Sequence, residues 1–233
     1  MAFVLIAFVA LFFILFLLLV PVLYSIQAVG SLFVYPRQLK TMFGNKILRR
    51  NHALEHATIA VMMEREPGRK LNGFSNDDGF YVQGVRSLEE VDSAARAALD
   101  RLHGGEKSLA IHRNCGTTIV AANLLAAVTF IGVIAAGLFM GMGLGVEFYL
   151  LLVAGMLVSL MLRVPLSLFL QRFVTTQHDL SNAEVGWVEP ANPNDLRAGI
   201  VGMLLASSTV QVRIFHTDPD AVEIIRDDGV VVR

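Results

Sequence analysis

FVLIAFVALFFILFLLLVPVLY, from Phe3 to Tyr24, indicates the class of fold. It lies in a segment, Met1–Pro36, without a single charged side chain, and about 20 apolar residues in a helix cross the hydrocarbon core of a bilayer. Backbone amides in lipid must be bonded within their own segment, which predicts a helix. The uncharged beginning and the long apolar core differ from a cleaved signal peptide. We therefore predict an uncleaved transmembrane anchor within residues 1–36.

Two further apolar runs are predicted to form a helical hairpin in the membrane. One is predicted from Thr118 to Met140 and the other from Phe148 to Leu170. Small residues of the second span, including Gly132 and Gly137, are typical of helices that pack closely in lipid, although they are also common in membrane helices generally. Arg163 of the third span either snorkels to the headgroups or is a functional intramembrane charge.

Basic residues are distributed unevenly around these spans. Those that closely follow the first span are Arg37, Lys40, Lys46, Arg49 and Arg50. None precedes the first span or lies between the second and third, and Arg172 follows the third. Because basic loops stay in the cytoplasm, the N-terminus is predicted to be outside and the other polar segments cytoplasmic. The expected location is the cell (inner) membrane, in a multi-pass arrangement.

The residues outside the spans are predicted to fold rather than to act as linkers. The predicted elements of the insert are a helix at Ile47–Met63, a hairpin at Leu71–Gly84 that turns at Asp78-Gly79, a helix from the capping box Ser87–Glu90 to Leu102, and a strand at Ser108–His112. The predicted class is an α-helical membrane protein with about three transmembrane helices, a small α+β cytoplasmic insert and a C-terminal β-hairpin region. Its segments are the anchor (1–36), the insert that carries a His/Cys cluster (37–117), the helical hairpin (118–172) and the C-terminal region (173–233).

The C-terminal region contains a strand pattern and a second turn. Ala198–Val212 is uncharged but only fifteen residues long. It is therefore short for a crossing, and an interfacial helix, a short fourth span and a helix-to-strand segment are the alternatives. Apolar and polar residues alternate over 210–214, which indicates a strand. Asp228-Gly229 lies between two short apolar runs and predicts another hairpin.

The composition excludes some classes of partner. The chain has 233 residues, of which 55% are hydrophobic and 17% charged, and its net charge is −1. Nucleic-acid-binding proteins carry a basic excess, so no nucleic acid is expected as a partner. A single cysteine, Cys115, excludes an internal disulfide, which is typical of a reducing compartment. The expected partner is the lipid bilayer.

His52, Glu55 and His56 form a His-x-x-Glu-His motif within the first helix of the insert. Residues four apart share a helix face, so the two histidines can offer their imidazoles to one metal ion. Zinc commonly takes three protein ligands and leaves one position to water, whose pKa the metal lowers. Glu55 is close enough in the helix to polarise that water. The alternative is a polar helix face whose histidines satisfy buried hydrogen bonds.

The motif resembles the H-x-x-E-H sequence of the inverzincin metallopeptidases. The resemblance implies that His52 and His56 bind zinc and that Glu55 is the catalytic base. That family takes a third ligand from a downstream glutamate. The candidates for this ligand here are Glu106, Glu147 and Glu184, none of which stands in a recognisable motif.

A second motif, His112-Arg113-Asn114-Cys115, stands just before the second span. Its His-x-x-Cys spacing is a metal-ligand spacing, and imidazole and thiolate are both good zinc ligands. With the histidine pair it gives the candidate ligands His52, His56, His112 and Cys115. Four protein ligands would make a closed, structural site, and three would leave a water position. Cys115 also has two other interpretations: a nucleophile activated at a helix N-terminus, or an inert buried thiol.

The remaining polar residues are weaker candidates. His178-Asp179 follows the third span and is interpreted as a solvated loop, with a supporting role beside the metal or a further metal ligand as the alternatives. His103 is interpreted as a helix C-terminal residue and His216 as a strand-end residue. Asn76–Gly79 lacks the spacing of a calcium loop and is interpreted as a turn.

The helix sequence HALEHA and the loop sequence HRNCGT resemble those of an uncharacterised bacterial membrane protein family. The resemblance covers the core formed by a span, the insert and a span, and it implies no established activity. Our leading hypothesis is a membrane-bound, zinc-dependent, peptidase-like hydrolase that acts on membrane-proximal protein or peptide at the cytoplasmic face. The alternative is a non-enzymatic accessory or assembly subunit of a membrane complex, with a structural metal or none. A third hypothesis is a thiol-dependent enzyme that uses Cys115.

Overall fold

The structure is a computed structural model that describes residues 1–113, 115–141, 143, 145–192, 208–217, 224–225 and 231–232. It is mostly helical, with three long apolar helices and a four-stranded antiparallel sheet. The chain divides into two compact units. We call Met1–Thr41 with Arg113–Val174 the helical unit, and Met42–His112 with Thr175–Arg233 the mixed unit.

The helices, in chain order, are α1 (Ala2–Ser31), α2 (Tyr35–Gly44), α3 (Lys46–Arg65), α4 (Leu88–His103), α5 (Thr117–Phe139) and α6 (Val146–Leu170). A 3-10 helix occupies Lys107–Ala110, and one π-helical turn, Gln171–Thr175, continues α6. The strands are β1 (Asn72–Asn76), β2 (Gly79–Gln83), β3 (Ala183–Pro190), β4 (Thr209–His216), β5 (Ile224–Ile225) and β6 (Val231–Val232).

Three helices of the helical unit are long and apolar enough to cross a membrane. The candidate stretches are Phe3–Ser31, Thr117–Phe139 and Val146–Thr175, with mean hydropathies of 3.4, 2.4 and 2.0. The number and positions of the three apolar helices agree with those predicted from the sequence. The first is longer than its predicted range because the helix continues past Pro21 and Tyr24.

Close packing of α5 against α6 depends on one glycine. A Cβ atom added at Gly155 would collide with the methyl group of Thr129 on α5, whereas one added at Gly132 would meet nothing within 4 Å. A Cβ at Gly137 would make an ordinary contact, 3.4 Å, with the Phe148 ring. The second span therefore does pack against another helix, as predicted, but Gly132 has no part in the contact.

One antiparallel sheet joins the insert to the C-terminal region. Its strand order is β1-β2-β4-β3, so the hairpin of the insert pairs with strands that lie more than 100 residues further along the chain. Phe80, Val82 and Val212 of the sheet and Leu54 of α3 are completely buried in the core of the mixed unit. Buried residues of α3, α4 and the sheet form one shared hydrophobic core.

The predicted hairpin and capping box both form, with small differences. Asn76 pairs with Gly79, so the two-residue turn is Asp77-Asp78, one residue earlier than predicted. The amide of Glu90 donates to the Ser87 hydroxyl at 3.2 Å. Ser87 is therefore the N-cap, and α4 begins directly after it, as the capping box predicts. The Glu90 carboxylate instead accepts from the amide of Arg86, so the return bond to Ser87 is absent.

The predicted strand at Ser108–His112 is wrong. Residues 107–110 form a 3-10 helix, and Ile111 alone is extended before His112. Leu109 and Ala110 are apolar because this short helix buries them in the core, not because they alternate along a strand.

The C-terminal region has more structure than its pattern indicates. The predicted strand around 210–214 is confirmed as β4, and the predicted hairpin is confirmed in its pairing of β5 with β6. Strand β3 and the helix α2 were not predicted. Asn114, residues 198–207 of the uncharged stretch and the Asp228-Gly229 turn lie outside the described residues.

Candidate metal centre

Helix α3 carries its polar residues into the core. Its N-cap residue, Asn45, accepts from the Leu48 amide at 3.0 Å, so the helix begins one turn before the motif. The buried polar residues of α3 are Arg50, Asn51, His52, Glu55, His56 and Thr58. A buried polar group costs free energy unless it finds a partner, so each of these groups needs one.

His52 and His56 stand side by side on one face of α3. Their ring centroids are 4.3 Å apart, and one nitrogen of each ring lies within 4.8 Å of one nitrogen of the other. The two residues are only 6% and 2% exposed. The predicted convergence of two imidazoles one helical turn apart is therefore present in the structure.

Backbone carbonyls fix the orientation of both rings. His52 Nδ1 donates to the carbonyl oxygen of Thr175 at 3.0 Å, and His56 Nδ1 donates to that of Ala110 at 2.9 Å. A carbonyl oxygen only accepts, so the proton lies on Nδ1 in each neutral ring and the lone pair on Nε2. Histidines that bind metals commonly use this arrangement, with the other ring nitrogen held by a carbonyl.

His56 Nε2 is a buried acceptor without a hydrogen-bond partner among the described residues. Leaving such a group unsatisfied costs about 1–3 kcal/mol. An ion bound at this nitrogen would remove that cost. The donor set of imidazole nitrogens therefore fits zinc, which binds neutral histidine readily.

Glu55 is held against strand β1. Its carboxylate accepts a short hydrogen bond from the Ser75 hydroxyl, and its side chain fills the space where a Cβ atom of Gly73 would lie. Burial raises the pKa of Glu55, while His52 and the bond from Ser75 act in the opposite direction. The carboxylate is thus fixed in position one turn from His52.

His112 also belongs to the mixed unit, and its ring lies near the histidine pair. Its ring centroid lies 6.1 Å from that of His56. Burial and the neighbouring His56 lower the pKa of His112, which favours the neutral ring that a metal needs. His112 therefore lies near His56, although it stands 56 positions further along the chain (112 − 56), but its ring nitrogens are not among the ligand atoms that converge within 4.8 Å.

Cys115 belongs to the helical unit, three residues beyond His112 along the chain. Its sulfur accepts from the Thr117 amide at 3.4 Å and lies 3.3 Å from the Thr117 hydroxyl. Thr117 is the first residue of α5, so the predicted position at a helix N-terminus is confirmed. An amide at this position favours the thiolate, the form that binds metal.

The glutamates considered as a third ligand have other surroundings. Glu106 forms an ion pair with Arg101 at 2.6 Å. Glu184 is an exposed residue of β3 that pairs with Phe215 of β4. Glu147 is an exposed residue in the first turn of α6, in the helical unit.

The segment after α6 lies along α3 and supports the site. The Gln177 amide donates to the Arg49 carbonyl at 3.1 Å, and Arg50 Nε donates to the Asp179 carbonyl at 2.8 Å. The exposed Asp179 carboxylate is 3.5 Å from Arg50, so it neutralises the buried guanidinium. Asp179 is thus an exposed residue of an irregular segment, which agrees with the loop interpretation, and it also pairs with Arg50.

The two histidines considered structural make ordinary contacts. His103, the last residue of α4, donates from Nε2 to the Leu180 carbonyl at 2.8 Å. His216, at the end of β4, donates from Nε2 to the Asn51 side-chain oxygen at 2.6 Å. Both contacts join remote parts of the mixed unit.

Sequence reasoning missed the groups that orient the motif. Ser75 and Gly73 lie in a hairpin whose polar composition indicates only a turn region. The partners at Thr175 and Ala110 are backbone carbonyls, which every residue type has, so the residue types do not reveal them. None of these partners could be identified from spacing.

Comparisons with known proteins give the family but no activity. A model described as a domain of unknown function, DUF6391, matches residues 47–188, which include the His52–His56 motif and the His112–Cys115 loop. An uncharacterised protein of Picosynechococcus sp. (strain ATCC 27264 / PCC 7002 / PR-6) is 39% identical over 89 residues, covering 34% of this chain and 43% of that protein's length. No solved structure matches. Because the family match covers more than half of the chain, the protein belongs to the DUF6391 family of unknown function.

Proposed function

We propose that the protein is a membrane-bound, zinc-dependent hydrolase of peptidase type. The observation that carries this proposal is the pair His52 and His56, whose rings are adjacent and whose Nδ1 atoms both donate to backbone carbonyls, with His56 Nε2 buried and without a hydrogen-bond partner among the described residues. Glu55 lies beside the pair as a buried, hydrogen-bonded carboxylate. A simple structural histidine face would not require two identical tautomers beside a fixed carboxylate.

We propose that His112 or Cys115 supplies the third ligand. His112 is already near His56. Cys115 is three residues further, which limits the distance between their Cα atoms to about 10 Å. A thiolate is the stronger zinc ligand of the two types, and its amide contact at the start of α5 favours that form. Three protein ligands leave one position for water.

The chemistry follows from the residues around the ion. Zinc, when bound, would lower the pKa of a coordinated water and polarise the carbonyl of the scissile bond. Glu55 would accept a proton from that water as the water oxygen bonds to the carbonyl carbon. It would return the proton to the leaving nitrogen as the C–N bond breaks. Ser75 would hold the carboxylate in the orientation that both transfers need.

We also propose the membrane arrangement that the charges predict. The three apolar helices would cross the cell (inner) membrane with the N-terminus outside. The mixed unit would then lie at the cytoplasmic face, where Lys40, Lys46 and other basic residues follow the first span. Its substrates would be proteins or peptides close to that face.

The function is tested with purified full-length protein in detergent, by measuring zinc content and the cleavage of a quenched fluorescent peptide library. Glu55→Gln is expected to keep the zinc and to lower the rate by about 10²–10⁴-fold, the usual contribution of a general base. Glu64→Gln is the matched control, because Glu64 lies on the same helix and is exposed. Full activity of Glu55→Gln would defeat the assignment.

Two other outcomes would favour the alternatives. Stoichiometric zinc without any cleavage, together with a co-purifying partner, would favour an accessory subunit with a structural metal. Cleavage that alkylation of Cys115 abolishes and that chelators leave unchanged would favour a thiol-dependent enzyme.

A further inference from the structure

We propose that the outer edge of strand β1 binds the substrate as an added, extended peptide strand that runs beside Glu55. The catalytic meaning of this inference rests on the proposed function, but the binding itself does not. It is drawn from the register of the sheet and from the residues that contact Glu55.

The register shows which backbone groups of β1 face outward. Two hydrogen bonds flank β2 at its ends: the Gly84 amide donates to the Ser208 carbonyl, and the Asp78 carbonyl accepts from the Ile214 amide. Both lead towards β4, so the even-numbered residues from 78 to 84 bond in that direction. In an antiparallel sheet the bonding direction alternates, so the odd-numbered residues 79, 81 and 83 bond towards β1. Their partners are residues 76, 74 and 72. Gly73 and Ser75 therefore direct their N–H and C=O groups away from the sheet.

β1 is an edge strand in the described part of the chain, and no described residue pairs with its outer side. An exposed edge of this kind offers unpaired donors and acceptors to another strand. Many peptide-binding proteins use such an edge, with the main chain providing affinity and the side chains selectivity.

The two outward-bonding residues are the same two that contact the candidate base. Ser75 donates its hydroxyl to Glu55, and Gly73 lacks the Cβ atom that would collide with the Glu55 side chain. A peptide that pairs with Gly73 and Ser75 would therefore pass next to the Glu55 carboxylate. No other strand of the sheet contacts this carboxylate through a described hydrogen bond.

The opposite edge of the sheet is built differently. β3 carries an irregularity between Val185 and Val188, and it ends with Pro190. Bulges and prolines are devices that prevent edge pairing. β1 has a continuous register and no proline, so one edge is protected and the edge beside the candidate site is left open.

An extended peptide fits this edge better than a second copy of the chain. β1 reads Asn-Gly-Phe-Ser-Asn, and a short, polar strand is a poor permanent interface. Its one large apolar side chain, Phe74, is 46% exposed and stacks on Tyr81 on the face of the sheet away from Glu55. A peptide residue on that face would contact the Phe74 ring, which favours an apolar side chain there.

The test uses the full-length Glu55→Gln protein, so that a bound peptide stays intact. The probe is the blocked peptide Ac-TVTATVT-NH2 at about 1 mM, a concentration at which a tenfold slowing of exchange corresponds to a dissociation constant of about 0.1 mM. Amide hydrogen exchange is measured residue by residue. The amides of Gly73 and Ser75 are expected to slow at least about 10-fold, and that of Phe74, already bonded within the sheet, to change little. A peptide with alternate amides N-methylated is the matched control and is expected to give no protection.

Each outcome bears on one idea only. Unchanged exchange at Gly73 and Ser75, or equal protection by the methylated peptide, would overturn the edge inference. Protection that appears in both zinc-loaded and chelator-treated protein supports it, even if the wild-type protein cleaves nothing and the hydrolase proposal fails. Cleavage by the wild-type protein without protection of Gly73 and Ser75 would support the hydrolase proposal and overturn the edge inference. Protection that rises with protein concentration and without peptide would indicate pairing between two copies, which also contradicts the inference.

Discussion

Helices α1 and α3 distribute polarity in opposite ways. α1 has no charged residue, and most of its large apolar side chains are exposed. α3 has exposed residues at its ends and buries six polar side chains in its middle. The first arrangement suits lipid, and its own composition specifies it. The second is costly unless remote groups provide partners, so its polar residues indicate a function and not only a fold.

The largest expected effect comes from removing either imidazole of the pair. His52→Ala and His56→Ala are each expected to reduce the zinc content from one ion per chain to below about a tenth, because zinc sites lose most of their affinity with a missing ligand. The measurement is metal analysis of the purified protein. His103→Ala is the control, since His103 bonds to Leu180 and is expected to keep the zinc. Unchanged zinc in both ligand variants would show that the ion lies elsewhere.

The next effect tests how tightly β1 holds the base. Gly73→Ala places a Cβ atom against Glu55, so the carboxylate or the strand must move. We expect a loss of unfolding free energy of about 1–3 kcal/mol, typical of overpacking, together with a lower cleavage rate. Gly44→Ala, at the end of α2 with open space around it, is the control and is expected to be nearly neutral. Equal stability and activity of the two variants would contradict the tight contact.

In the apolar helices the response is expected to depend on packing alone. Gly155→Ala forces a Cβ atom into Thr129 and is expected to lower the thermal unfolding midpoint in detergent, at a cost of about 1–3 kcal/mol. Gly132→Ala, on the facing helix α5 and with nothing within 4 Å, is the matched control and is expected to leave the midpoint unchanged. A larger effect at Gly132 would show that α5 uses a different face.

The smallest effect concerns a pair on the surface of the mixed unit. Although partial burial raises the pKa of Glu90, hydrogen bonds from Arg69 and the Arg86 amide outweigh it and hold the pKa below its usual value. A lowered pKa adds stability above the pKa of the unfolded chain, about 4.3, and the gain disappears as the pH falls through the folded value.

Glu90→Gln is therefore expected to cost about 1 kcal/mol at neutral pH and progressively less in acid. Denaturant unfolding at several pH values measures the difference. Glu184→Gln, an exposed residue of β3, is the control. A loss of stability that increases as the pH falls would contradict the predicted direction of the pH dependence.

The sequence predicts elements whose pattern is local. The apolar runs, the helix around Ile47–Met63 and the Ser87 cap depend on nearest neighbours along the chain, and the structure has all of them. The pairing of β2 with β4 joins residues far apart, and no local pattern contains that register. The run Ser108–His112 was misassigned because a buried 3-10 turn and a short strand have the same apolar content.

The candidate site was predictable in its residue types and not in its geometry. The spacing of His52 and His56 places them on one helix face, and their rings are adjacent. Their orientation depends on the carbonyls of Thr175 and Ala110, which any residue type could provide. The position of Glu55 depends on the absence of a side chain at Gly73, which a sequence shows only as one glycine among nineteen.

The central claim is that the buried pair His52 and His56 binds zinc. Zinc-edge X-ray absorption of the purified, full-length protein tests it most directly. The account predicts one tightly bound zinc per chain, with imidazole nitrogens at about 2.0–2.1 Å, and a sulfur at about 2.3 Å if Cys115 is the third ligand. A protein without stoichiometric zinc, or a zinc surrounded only by oxygen with no imidazole scattering, would contradict it.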